Sequence, residues 1–253
     1  MPYALVRGIG DVGSAVAHRL FREGFGIVLH DAPQPTATRR GMAFVDAVFD
    51  GSADLAGVRA VRVDDLTNLP EILATRTVIP LVVTDVAALL ATTHPHVLID
   101  AWMRKRVRPG AQRGLVPLTI GLGPGFVAGE TVDVAIETSW EALGAVIQQG
   151  PTLTLAGEPR PLGRHGRGRY VYAPHAGLFQ TKRAIGDSVV AGEHVACLDD
   201  AALLAPLAGR LRGLTHSGVP VAVGTKVIEV DPRGEHAGVV GIGGRPLASP
   251  RES

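Results

Sequence analysis

The sequence predicts an α/β protein: a Rossmann-like, mostly parallel sheet followed by a small all-β domain. Three observations lead there. A strand, a glycine loop, a helix and a second strand open the chain. Strand-like and helix-like segments then alternate. The C-terminal part repeats itself in short strands broken by glycines.

The opening unit begins with Ala4-Leu5-Val6-Arg7-Gly8, a short buried strand. Gly8-Ile9-Gly10-Asp11-Val12-Gly13 follows at once. From Ser14 to Glu23 the pattern is helical, with Val12, Val16 and Leu20 recurring every fourth residue, and Gly24 sits where a helix-ending glycine belongs. Ile27 to His30 is a second strand, and Asp31 ends it. In this arrangement Gly8 permits the sharp turn, Gly10 lets a phosphate approach bare backbone, and Gly13 lets the helix pack on the strand. The helix start offers N–H groups to an anion, and Asp31, at the usual spacing, would accept from a ribose. A Rossmann-like unit that keeps the turn for packing alone has the same signature.

Further strands are expected at 58–63, 78–83 and 97–101, with helices at 42–49 and 86–91. Arg39 and Arg40 follow a Pro/Thr-rich loop. They are candidates to hold phosphate or carboxylate, or else surface arginines. A second glycine loop, Gly121-Leu122-Gly123-Pro124-Gly125-Phe126, stands between strand-like segments. Gly123 and Gly125 could form an anion nest and grip the far end of a ligand held by the first loop. Glu137 is a further polar contact there. His94 and His96 flank Pro95 in poor metal-ligand spacing, so no metal site is expected.

Composition narrows the function classes. Hydrophobic residues make up 46% and charged residues 19% of 253, as in an ordinary globular chain; the net charge of +1 provides no field for nucleic acid or acidic membranes. The basic stretch at Arg104, Lys105, Arg106 and Arg108, and the looser one from 160 to 169, read as solvated loops. The single cysteine, Cys197, lies in an apolar run and reads as a buried structural thiol. No signal-like start and no apolar stretch near ~20 residues is present, which implies a cytoplasmic protein.

The domain reading is a nucleotide-binding unit over 1–150, a Pro/Gly/Arg-rich linker, a β domain over 169–234 and a C-terminal tail over 235–253, whose last stretch from Gly241 to Ser253 is expected to fray. Within the β domain Ala173-Pro174 matches Ala205-Pro206, an offset of 32 residues. Gly186, Val189, Gly192, Val195 and Asp199 match Gly218, Val221, Gly224, Val227 and Asp231 without a gap. Neither copy is long enough to bury a core alone, so the two should close on each other. The glycine and valine spacing resembles the biotinyl/lipoyl type of barrel-sandwich domain. The lysine that such carriers present is missing from Asp199-Asp200-Ala201-Ala202, which argues against a swinging-arm role.

Several segments together resemble the YqeB-type accessory proteins of selenium-dependent molybdenum hydroxylase systems. They are Val6 to Asp11, Arg39-Arg40, Phe44 to Gly51, Asp100-Ala101 with Met103 and Lys105, Gly121 to Phe126, Ile136-Glu137-Thr138, Ala173-Pro174, Arg212-Gly213-Leu214 and Val230 to Gly234. The resemblance implies a maturation factor similar in role to the XdhC-type factors of xanthine dehydrogenase. Its partners would be a small-molecule cofactor and a molybdenum hydroxylase subunit, with a homo-oligomer also compatible. The chain departs from the pattern at Ser139-Trp140-Glu141 and at Arg104 to Arg108, and most of the usual tail is missing, which fits a link to molybdenum without selenium. The expected ligand is a nucleotide or dinucleotide, either a molybdopterin dinucleotide or NAD(P), at Gly8, Gly10, Asp11, Gly13, Asp31, Arg39, Arg40, Gly123 and Gly125. An NAD(P)-dependent oxidoreductase and a non-catalytic scaffold are the rival readings. The first lacks a Tyr-x-x-x-Lys pair or another evident proton donor, so no catalytic residue is assigned.

Overall fold

A computed structural model describes residues 2–103, 109–153, 159 and 161–244. The first part runs β1 (Tyr3–Arg7), α1 (Asp11–Arg22), β2 (Gly26–His30), α2 (Ala47–Asp50), β3 (Ser52–Leu55), β4 (Val58–Arg62), α3 (Leu69–Thr75), β5 (Ile79–Val82), α4 (Val86–Thr93), β6 (Val97–Asp100), β7 (Leu118–Leu122), β8 (Val127–Ala128), β9 (Val134–Ile136), β10 (Val146–Ile147) and β11 (Gly150–Pro151). Its main sheet has the order β10-β9-β7-β6-β1-β2-β5-β4-β3. The pairs from β9 across to β4 are parallel; only the two outermost pairs, β9–β10 and β3–β4, are antiparallel.

The apolar runs of the central strands follow from burial on both faces. Alternate residues divide between two cores. Ala4, Val6, Ile27, Leu29, Ile79 and Leu81 pack with Val12, Val16 and Leu20 of α1 and with Phe44. Tyr3, Leu5, Val28, Val82 and Leu98 face the other way, against Leu69 of α3 and Leu89 of α4. The period of two along each strand thus demands helices on both faces.

Two local expectations change. The helix foreseen over 42–49 is broken: Ala43 is extended, with φ −153° and ψ 162°, and α2 starts only at Ala47. Ser14 Oγ of α1 accepts from the Phe44 N–H at 2.9 Å, so a tertiary bond takes the chain out of the helical path. The β3–β4 hairpin went unforeseen because its turn places Ala56 as well as Gly57 at positive φ (47° and 81°).

The second part comprises β12 (Tyr170–Tyr172), β13 (Gly177–Gln180), β14 (Ser188–Val189), β15 (His194–Leu198), β16 (Ala201–Leu204), β17 (Gly209–Leu214), β18 (Val219–Val221) and β19 (Lys226–Asp231). The 32-residue offset carries β12, β13, β14 and β15 onto β16, β17, β18 and β19. The sheets β12-β19-β17-β14 and β16-β15-β13-β18 exchange under that shift. Each sheet mixes strands of both copies, because β14 pairs with β17 and β18 with β13. The shared core includes Phe179, Val195, Leu198, Leu211, Val227 and Val230. A half-copy would leave that core open, which is why the repeat folds as a pair.

The two parts touch along one seam. Leu214 N–H donates to Thr38 O at 2.7 Å, and Phe49 stacks on His216 with ring centroids 4.0 Å apart. The tail does not fray at its start: Gly241 N–H donates to Gly41 O at 2.9 Å, and Ile242 packs on the first core. Residues 245–253 lie outside the described residues. No described helix is long and apolar enough to cross a membrane.

Candidate functional site

At the carboxyl edge of the sheet, β1 lies between β2 and β6, so successive connections leave it in opposite directions. Ligands of open α/β sheets bind at such a switch point. The first glycine loop is there. Gly10 caps α1 without a side chain, and a Cβ on it would meet nothing within 4 Å. The first-turn N–H groups therefore receive no side-chain acceptor from the cap. Gly13 serves packing: a Cβ there would come within 1.8 Å of Gly8 O. Gly8, at φ +86°, lets the chain after β6 cross it; a Cβ would sit 2.5 Å from Trp102 Cα.

Asp31 has a different task from the one expected. Its carboxylate is buried and accepts from Ile9 N–H at 2.8 Å, Ala32 N–H at 2.7 Å and Trp102 Nε1–H at 2.9 Å. It braces the glycine loop, and the indole stands where a ribose hydroxyl was foreseen. The second loop is closed as well. Met103 Sδ fills the space a Cβ on Gly123 would need, at 2.6 Å, and Phe126 lies against Gly121; Gly123 and Gly125 have φ of +94° and +92°. Trp102 and Met103 thus pack between the two loops, and the geometry does not present the loops as two open grips. Glu137 is buried and accepts from Thr138, Ser139 and Leu153 N–H groups, which makes it a loop brace.

The arginines form the seam instead of an exposed phosphate clamp. Arg39 bonds Asp11 Oδ2 through Nη1 at 2.8 Å and holds Glu229 through Nε at 3.0 Å and Nη2 at 3.2 Å. Arg40 bonds Leu214 O at 2.8 Å and Asp46 at 2.7 Å. Glu229 is fully buried, and Lys226 (3.1 Å), Arg212 (3.5 Å) and Arg169 (3.7 Å) also surround it. Burial alone would raise the Glu229 carboxyl, but Lys226, Arg39 and Arg212 outweigh it and hold it at about 2. Burial lowers Lys226, and Arg39 adds to that, against the pull of Glu229. Arg39, Arg169, Arg212 and Lys226 thus face the one carboxylate of Glu229, and Arg39 alone also bonds Asp11 at the start of α1.

Beside the loop lies an open cleft of about 370 Å³, lined by Arg7, His30, Ala32, Pro33, Thr84, Asp85, Val86 and Trp102. Arg7 reaches Asp100 at 3.3 Å and lies over the Trp102 ring, 4.6 Å from its centroid. None of these lining residues is among the ligand-site candidates of the sequence. Glu229 could have been: it is a charge in the apolar run Val227-Ile228-Glu229-Val230.

Other expectations resolve locally. Arg169 is buried on Glu229 and not a solvated loop residue. Arg160 and the stretch Arg104 to Arg108 lie outside the described residues. Cys197 is half-buried, with His194 Nε2 at 3.3 Å, because a register shift between His194 and Ala196 turns it outward. Lys226 Nζ lies over the Tyr170 ring, 4.7 Å from its centroid, a pairing invisible in sequence. Burial, followed by Glu229, raises the Tyr170 hydroxyl above its usual value, against Arg169 and Arg39. No cluster of three metal-ligating side chains occurs among the described residues.

No family profile matches the chain. Among solved structures it overlaps a succinylglutamate desuccinylase/aspartoacylase from Rhodobacter sphaeroides (TM-score 0.26, 14% identity, 90% of this chain and 84% of that one). It also overlaps an aspartoacylase family protein from Mesorhizobium loti (TM-score 0.27, 14% identity, 91% and 85%). Likeness at that level carries no argument about function. Sequence says more: the chain is 36% identical over 236 residues, 92% of its length, to the uncharacterized protein YqeB of Escherichia coli (strain K12). It spans 43% of that protein, and is thus similar in type to YqeB over less than half of YqeB's length.

Proposed function

We propose that this chain binds a phosphate-bearing nucleotide or pterin dinucleotide at Gly10 and the start of α1, and acts as an accessory factor in molybdenum hydroxylase maturation. One observation carries the binding half. The start of α1 is capped by a bare glycine at the switch point of a parallel sheet, and its first acid, Asp11, is paired with Arg39. A phosphate there would accept from first-turn N–H groups and gain from the helix dipole. Asp11, already neutralised by Arg39, would not repel it strongly. The accessory role rests on the resemblance to YqeB-type proteins. The oxidoreductase reading lacks a Tyr-x-x-x-Lys pair or another evident proton donor in the sequence.

A thermal-shift series with NAD, NADP, ATP, CTP and isolated molybdenum cofactor tests the binding half. A ligand at ~100 times its dissociation constant stabilises the fold by about 2.7 kcal/mol. The Gly10→Val protein should fold, since a side chain meets open space there, and should lose the shift. No shift with any ligand refutes the reading. Pull-down of the chain with a molybdenum hydroxylase, against a control hydroxylase, tests the accessory half.

A further inference from the structure

The 32-residue offset relates two faces of the β domain that are used differently. Under it Tyr170 and Tyr172 of β12 become Ala202 and Leu204 of β16, and Lys226 and Glu229 of β19 become His194 and Cys197 of β15. The registers agree. Tyr170 stands opposite Glu229 and Tyr172 opposite Lys226, as Ala202 stands opposite Cys197 and Leu204 opposite His194. The first of these faces is the seam, where Glu229 meets Arg39. The second carries neither those charges nor those rings. Leu178 of β13 adjoins Pro220 of β18, and Gln180 adjoins Cys197. Leu178 and Leu204 are 40% and 47% exposed. An antiparallel sheet that is wet on its outer face puts polar residues there. This one puts leucines, alanine and proline, the mark of a surface that is covered.

Charge at the two ends of this face identifies the cover. Asp199 and Asp200 are exposed at the turn between β15 and β16. β13 runs antiparallel to β15, so Lys182, two residues beyond β13, lies with His194 at the opposite end. Lys182 is exposed, and Glu193 at that end is already bonded to Arg183. We infer that a second copy of this chain packs face to face here about a twofold axis, the acidic end of each copy over the lysine end of the other. Such a contact is self-complementary and closes as a dimer. Its middle is apolar and its rim charged, the usual anatomy of an interface. Head-to-tail assembly, with this face docked on the first part of the next copy, is blocked. The surface of Arg39 and Phe49 that receives a β-domain face is filled by the chain's own Glu229 and His216. The inference is independent of the proposed ligand.

Sedimentation equilibrium of the full chain tests it. At about 100 μM the mass should be twice the 26.4 kDa of one chain, falling on dilution. Leu204→Glu puts an unpaired carboxylate into the contact and should weaken dimerisation by about a hundredfold. Lys182→Glu sets acid over acid and should weaken it by about tenfold; adding Asp200→Lys restores opposite signs and should recover most of that loss. All three positions are exposed, so each variant should fold, with the circular dichroism of the wild type. Cys197, the single cysteine, lies on the face, and its reaction with a thiol reagent should slow by about fivefold as the dimer forms. A wild-type chain that stays monomeric at the highest concentration overturns the inference. A dimer that survives Leu204→Glu, or that leaves Cys197 as reactive as in the monomer, uses another face and overturns it too. A dimer indifferent to Lys182→Glu overturns the opposed arrangement of the two ends.

Discussion

The indole Nε1 of Trp102 donates to Asp31 Oδ1 at 2.9 Å, joining the ends of two strands 71 residues apart. The same carboxylate holds Ile9 N–H in the glycine loop. Asp31 is thus a buried acceptor with three donors. Removing it as Asp31→Ala leaves three N–H groups without that acceptor and should destabilise the fold by about 3 kcal/mol or more. Trp102→Phe removes one donor and keeps most of the packing, so a loss nearer 1 kcal/mol is expected. Urea unfolding of both variants checks the order; an equal or reversed ranking would mean that Asp31 does not brace the loop.

Glu229 joins the two parts of the chain. It sits fully buried among Arg39, Arg169, Arg212 and Lys226. Glu229→Gln keeps the shape and removes the charge, which leaves the cations uncompensated. A loss of about 3–5 kcal/mol is expected, as for breaking a buried ion pair. Limited proteolysis should then cut the seam around Arg39 and Arg40 first, while the wild-type chain resists.

Acid should reveal the same group. The Glu229 carboxyl is held at about 2 in the folded chain against 4.5 ordinarily, so on acidification the unfolded chain takes up its proton first. The contribution is complete above pH 4.5, falls below it, and is gone once the pH passes below about 2. It amounts to roughly 3 kcal/mol. Stability measured by urea from pH 6 to pH 2 should decline over that window in the wild type and decline less steeply in Glu229→Gln. Parallel slopes would disprove the linkage.

The glycines of the first loop should differ sharply. Gly13→Ala brings a methyl group against Gly8 O and must push α1 off the loop, a strain expected to cost about 1–3 kcal/mol. Gly10→Ala, at φ −64° with open space above, should change stability by less than about 1 kcal/mol. Melting temperatures of the two variants decide it.

Much of the fold was legible because its signals are local. The strand–glycine–helix–strand order at Val6 to Asp31 sets the backbone path, and the alternation of Val28 and Leu29, or Leu81 and Val82, requires a sheet covered on both faces. The repeat was legible because its buried valines recur at one spacing. Partnerships were not. Arg39 pairs with a residue 190 positions away, and Arg169 reads as a loop cation until Glu229 is placed beside it. The Cys197 orientation depends on a bulge that leaves no mark in composition.

By itself the sequence determined the open parallel sheet, the bare glycine at the start of α1 and the paired β repeat, since each depends on backbone conformation and short-range periodicity. Only the tertiary structure decided what the polar residues do. Asp31 and the arginines had the right chemistry for a ligand, but a carboxylate or guanidinium bonds whichever partner the fold brings within about 3 Å. Here those partners are Trp102 and Glu229, delivered from distant strands.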